Sequence, residues 1–206
     1  MKLCKNYEKG AFSIYFLISI FGILIRCLVI GYASQGTSVR SSNLEAETLN
    51  TKGLYSVIRH PIYLGNFFIF LGIVLFTKVW WFIIISLILF YFYYTSIIMA
   101  EEKFLKEKFG EKFLKYYQNT PAIIPKFKNW QKPTLSFSFK NVMRREFHTF
   151  FGLVVGFTFI DFLKQIFINN KLEDLFLIKF FLFNLLIYLM LYILSNKTKI
   201  FYVENR

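Results

Sequence analysis

The chain has 206 residues, and its formal charge is +13. Its hydrophobic share is 56%, against roughly 45–50% for soluble chains. A soluble globule with 28 phenylalanines would expose much of them to water, and a disordered chain would carry far less apolar content. What remains is an integral membrane protein with basic loops, expected to be all-α and multi-pass, with about five transmembrane helices and a cytoplasmic-side amphipathic helix.

A helix needs about 20 mostly apolar residues to cross the hydrocarbon layer. The first such run covers residues 11–32. Lys2, Lys5 and Lys9 precede it as in a signal peptide, but Arg26 interrupts the run just before Cys27, so an uncleaved helix is expected. Residues 34–58 are polar and read as a loop. Pro61 then opens a short second span over 62–76, since proline fits the first turn of a helix. Thr77 and Lys78 form a tight connection to a third span over 79–100, with Trp80 and Trp81 as interfacial aromatics. Spans two and three thus form a hairpin.

Residues 101–117 read as an amphipathic helix, with Phe104, Leu105, Phe109, Phe113, Leu114 and Tyr117 at helical spacing. Pro121 and Pro125 end it, and a basic linker over 126–145 follows. A fourth span covers 147–168 and a fifth 175–194. With five spans, the segments 32–61, 101–148 and 196–206 share one side and hold 17 of the Lys and Arg residues. By the excess of Lys and Arg in cytoplasmic loops that side is inside, which places the N-terminus outside despite its three lysines.

Two cysteines, Cys4 and Cys27, and two histidines, His60 and His148, form no ligand cluster, so no metal site is expected. The informative stretch is Gly53-Leu54-Tyr55-Ser56-Val57-Ile58-Arg59-His60-Pro61-Ile62-Tyr63-Leu64-Gly65-Asn66 at the mouth of the second span. Polar residues beside a membrane core are costly unless satisfied or useful. Glu101 and Glu102 close the third span, and the hairpin returns them to the same side. Neighbours on a helix point about 100° apart, so one carboxylate is expected to face the second span and the other solvent or a loop.

Arg59, His60, Pro61, Tyr63 and Gly65, then the hairpin, then Glu101-Glu102 resemble the integral-membrane methyltransferases related to isoprenylcysteine carboxyl methyltransferase and phosphatidylethanolamine N-methyltransferase. Phe109-Gly110-Glu111, Tyr116, Tyr117, Pro121 and Pro125 continue the resemblance, with Phe113 where the family has Tyr and Leu54 where it often has Pro. It covers residues 53–127. The chain then divides into 1–52 (first helix and polar loop), 53–127 (methyltransferase-like core), 128–146 (basic linker) and 147–206 (two further helices and tail).

The resemblance implies S-adenosylmethionine as methyl donor, bound on the cytoplasmic side without a Rossmann domain, and no G-x-G-x-x-G loop is visible. It implies Arg59 and His60 as catalytic residues, with Arg59 pairing the donor's carboxylate and His60 or a glutamate as base for an amine acceptor. His60, Tyr63, Gly65, Glu101 and Glu102 are the implied cofactor-binding residues. The acceptor is expected to be a membrane lipid or lipid-linked group. Alternatives are an NADPH-dependent reductase of the sterol-reductase type and a non-catalytic scaffold or small transporter.

Other residues carry smaller expectations. Arg26 snorkels to the interface or meets a lipid phosphate. Asp161 pairs with Lys164 or Lys179. Gly152 and Gly156 allow close helix approach, within the chain or in a dimer, and the oligomeric state is left open. The basic linker, with Trp130, Phe137 and Phe139, suits anionic lipid and not nucleic acid.

Overall fold

The computed structural model describes residues 2–33, 48–167, 175–198 and 200–201, with side chains from Phe12 onward. The regular elements are helical: α1 (Lys2–Gly31), α2 (Leu54–Val57), α3 (Pro61–Phe76), α4 (Trp80–Phe109), α5 (Glu111–Asn119), α6 (Phe139–Phe167) and α7 (Phe176–Lys197), with a 3₁₀ turn at Phe127–Asn129. Among the described residues, four helices are long and apolar enough to cross a membrane: Phe12–Gly31 of α1, α4, α6 and α7. The remaining expected span, the second, is α3, which is apolar but has 16 residues. At about 1.5 Å per residue it is shorter than the about 30 Å hydrocarbon layer, so the polar residues just before it, Arg59 and His60, fall toward the edge of the apolar region. The protein is an all-α, multi-pass integral membrane protein. Most of the polar loop and the α6–α7 connection lie outside the described residues.

The α1–α3 pair is the closest helix contact and follows from small residues on both faces. A Cβ at Gly65 would stand 2.6 Å from Arg26 Cγ and 2.8 Å from the Gly22 carbonyl. A Cβ at Gly22 would stand 2.7 Å from the Ile69 amide nitrogen. Ser19 lies beside Gly72 and donates to the Ile69 carbonyl at 3.0 Å. In lipid, where apolar side chains gain little from meeting each other, such close approach is a main source of helix association. Toward the other end of the bundle, Ile23, Phe76, Leu153, Phe157 and Leu177 form an aromatic-rich core joined by Phe12 and Phe16. There Phe76 and Phe157 ring centroids are 5.1 Å apart.

Three boundaries differ from the sequence expectation. Helix α4 runs without a break past Ala100 to Phe109, so Glu101 and Glu102 lie inside it. The expected amphipathic helix 101–117 is split at Gly110, whose φ of 50° suits glycine and turns the chain into α5. Helix α6 begins at Phe139, so about the last third of the basic linker is helical. The helix is continuous from that polar stretch into the apolar residues beyond 147, a continuity that hydropathy alone does not register.

Gly156 packs against Ile73 of α3, with a Cβ there 3.2 Å from its Cδ1, whereas a Cβ at Gly152 would meet nothing within 4 Å. The G-x-x-x-G spacing therefore serves close approach within the chain at Gly156 alone among the described residues. Asp161 accepts a hydrogen bond from Gln165 at 2.7 Å. Lys164 donates to the Phe76 carbonyl and lies 4.1 Å above that ring.

Candidate active site

The mouth of α3 is assembled from three chain segments. Residues 53–60 are bedded against the stretch that follows α5. The Arg59 amide donates to the Pro121 carbonyl at 2.9 Å, and the Lys126 amide donates to the Val57 carbonyl at 2.9 Å. Gly53 pairs with Gln131, and Ser56 Oγ accepts from the Gln131 amide at 2.9 Å. Tyr116 of α5 donates from its hydroxyl to the Tyr55 carbonyl at 2.8 Å. Burial pushes the Tyr55 and Tyr116 phenols well above their ordinary pKa, so both stay neutral.

On this platform the motif side chains meet the end of α4. Arg59 Nε donates to Glu102 Oε1 at 2.9 Å. Its Nη1 donates to the Tyr117 carbonyl at 2.9 Å and to the Thr120 carbonyl. The guanidinium carbon lies 4.0 Å above the Tyr117 ring. His60 stands between the two carboxylates, with Nε2 3.0 Å from Glu102 Oε1 and Nδ1 3.4 Å from Glu101 Oε2. Tyr63, one turn along α3, donates to Glu101 Oε2 at 2.8 Å and stacks on the His60 ring.

Both glutamates therefore face α3, against the expectation that one would turn away. The two imidazole nitrogens point in widely diverging directions, so one ring can span carboxylates that a helix sets about 100° apart. Burial of His60 opposes its charge, but hydrogen bonds and proximity to Glu101 and Glu102 outweigh it and hold the imidazole pKa above its ordinary value. In the charged form both ring nitrogens donate, and two cations balance two carboxylates. The glutamate side chains stay partly open, at 23% and 17% exposure, while His60 is closed at 5%.

Arg59 is bound to Glu102 and to the end of α5 and holds that helix over the site. Gly65 lies against Arg26 and Gly22 of α1, where it permits helix approach, and it is not among the groups gathered at Glu101 and Glu102. His60, Tyr63, Glu101 and Glu102 do come together as expected.

A second polar group lies deeper and was missed. Arg26 Nε and Nη2 donate to Glu146 Oε2 and Oε1 of α6, both at 2.7 Å, with Arg26 7% and Glu146 4% exposed. Arg26 neither snorkels nor meets lipid phosphate here; a bidentate partner within the bundle satisfies it. Its Nη1 donates to Asn66 Oδ1. The Asn66 amide in turn donates to the Tyr94 hydroxyl at 2.9 Å, and the Tyr94 ring lies 5.2 Å from that of Tyr63. Spacing held a signal for part of this: Asn66 lies three residues from Tyr63, and Tyr94 seven from Glu101, each on the shared helix face. Among the described residues no three His, Cys, Asp or Glu side chains gather as metal ligands.

Residues 13–112 match the model of the phospholipid methyltransferase family. The match bears out the resemblance to membrane methyltransferases; it begins in α1, well before Gly53, and stops at the start of α5. Over 85 residues the chain is 34% identical to the cobalt-zinc-cadmium resistance protein CzcN of Cupriavidus metallidurans, covering 41% of this chain and 39% of that protein. The chain thus spans well under half the length of that relative. No solved structure matches it.

Proposed function

We propose, for a chain whose residues 13–112 are of phospholipid methyltransferase type, that it transfers a methyl group from S-adenosylmethionine to a membrane lipid or lipid-linked acceptor. The observation that carries this reading is the interlock of Arg59, His60 and Tyr63 with Glu101 and Glu102 at the edge of the apolar layer. A soluble donor and a lipid acceptor can both reach such a position.

The donor set fits the cofactor. Two partly open carboxylates beside the Tyr63 and Tyr117 rings suit a ligand bearing a cationic sulfur, an ammonium and ribose hydroxyls. When bound, the cofactor supplies an electrophilic methyl carbon. The chain's own residues would do the rest. Glu101 and Glu102 accept hydrogen bonds from the ligand. Charged His60 keeps the two carboxylates in place. Arg59 holds α5 over the site and so limits water. Fixing nucleophile, methyl and leaving sulfur in line can contribute about 7–11 kcal/mol at the upper end. An amine acceptor must first lose a proton, and the more exposed Glu101 carboxylate is the base available while His60 is charged.

The site would face the cytoplasm. Lys126, Lys128, Lys132, Lys140, Arg144 and Arg145 lie at the end of the bundle that holds it, where anionic lipid would neutralise them. Exposed Ile124, Phe127 and Trp130 in the same stretch fit an interfacial seat.

Purified protein in lipid nanodiscs tests the reading. It is expected to bind S-adenosylhomocysteine but not NADPH, and to move label from methyl-tritiated S-adenosylmethionine into the lipid fraction. NADPH binding alone would support the reductase. Binding of neither, with Glu102→Ala leaving cellular lipid methylation unchanged, would support a scaffold.

A further inference from the structure

Tyr94 occupies an unusual place. It lies seven residues before Glu101 on α4, two helical turns and about 10 Å deeper along the bundle. Its hydroxyl accepts a hydrogen bond from Asn66 Nδ2. The direction of that bond is set by charge. Asn66 Oδ1 receives Arg26 Nη1, so the amide nitrogen must point to Tyr94. Arg26 is itself fixed by its bidentate pairing with Glu146, and Thr149 Oγ1 lies 3.5 Å from Nη2. Glu146 and Thr149 belong to α6, outside the region matched by the family model.

A hydroxyl that accepts keeps its own proton to donate. Among the described residues none accepts the Tyr94 proton. The ring is half-buried, stacked on Phe90 at 4.2 Å and beside Tyr63, whose hydroxyl binds Glu101. So a donor of fixed orientation stands in the apolar layer on the same side of α3 and α4 as the carboxylates. Four polar side chains, two of them charged and buried within the bundle, are held together to orient it, and buried charges are costly unless paired.

We propose that Tyr94 is an acceptor-positioning residue: its hydroxyl, aimed by the Glu146–Arg26–Asn66 chain, donates to an oxygen of the lipid acceptor about two helical turns below the reacting group. This rests on the reading of the site as methyl transfer to a lipid. It makes Tyr94 a determinant of specificity, since an acceptor that is plain hydrocarbon at that depth leaves the donor unsatisfied. It also gives α6 a part in the site, as the source of the carboxylate that fixes Arg26.

The test uses the full chain in nanodiscs of non-methylatable dialkyl phosphatidylcholine, doped with increasing mole fractions of total lipid extract from the expressing host. Tritiated S-adenosylmethionine reports transfer. Tyr94→Phe is expected to raise the half-saturating extract fraction at least fivefold. Its turnover at saturation and its affinity for S-adenosylhomocysteine should stay within about twofold of wild type. Glu146→Gln, which keeps shape but weakens the hold on Arg26, should give a shift in the same direction, and the double variant should add little to Tyr94→Phe. An unchanged half-saturation in Tyr94→Phe overturns the proposal. So does a proportional loss of cofactor affinity and thermal stability, which would mark the Asn66–Tyr94 bond as a helix fastening only. If the wild type binds S-adenosylhomocysteine yet labels no lipid, the lipid-acceptor reading falls and the Tyr94 assignment falls with it; if only the variants match wild type, the assignment alone falls.

Discussion

His60 Nε2 stands 3.0 Å from Glu102 Oε1 and thereby ties the first turn of α3 to the projecting end of α4. Since the carboxylates raise the His60 pKa above the ordinary 6.5, folding favours the protonated ring. The stabilisation is fully present below pH 6.5 and is lost as pH rises through the raised value. Thermal unfolding in detergent between pH 5.5 and 9 should therefore show a decline in midpoint through that window. His60→Gln should remove this component of the pH dependence. An unaltered profile in His60→Gln would place the titration elsewhere.

Arg59→Lys keeps the charge and loses the fork. The variant is expected to forfeit the bonds to the Tyr117 and Thr120 carbonyls, and hydrogen bonds to a charged group are worth about 1.5–3 kcal/mol each. Residues 111–126 should then become more open to limited proteolysis, with weaker binding of S-adenosylhomocysteine. Equal cleavage rates in wild type and variant would contradict the assignment of Arg59 as the clasp on α5.

The buried Arg26–Glu146 pair predicts an asymmetric mutational response. Removing either partner alone strands a charge and should cost about 3–5 kcal/mol, while Arg26→Met with Glu146→Leu should recover much of that. Unfolding of the four proteins in one detergent, as a double-mutant cycle, measures the coupling. Additive losses would mean that the two side chains do not depend on each other.

Two glycines on facing helices separate packing from pattern. Gly65→Ala would drive its methyl into Arg26 Cγ and the Gly22 carbonyl, and backbone cannot move aside. A loss of about 1–3 kcal/mol is expected. Gly152→Ala meets open space and should be neutral or gain up to about 1 kcal/mol from helix propensity. Comparing the two in the same unfolding assay decides whether G-x-x-x-G spacing or actual proximity governs this bundle.

Sequence by itself determined the class of protein and the members of the upper cluster. Apolar runs of membrane length are local and additive, so the four long apolar helices and the α3–α4 hairpin were legible, as were Arg59, His60, Tyr63, Glu101 and Glu102 through their order. The motif also carried the resemblance that the family match over residues 13–112 bears out. The end of α4 was less legible, because charged residues lower hydropathy without breaking a helix, and the break at Gly110 depends on its positive φ. Tertiary structure alone decided what the polar side chains touch. That His60 spans both carboxylates, that Arg59 faces the end of α5, and that Gly65 serves α1 all depend on how helices are set against one another. Arg26 and Glu146 are 120 positions apart, in runs that read separately as an interrupted span and a basic linker. A charge pair in the apolar layer exists only once two helices meet, because each charge is tolerable there only through the other.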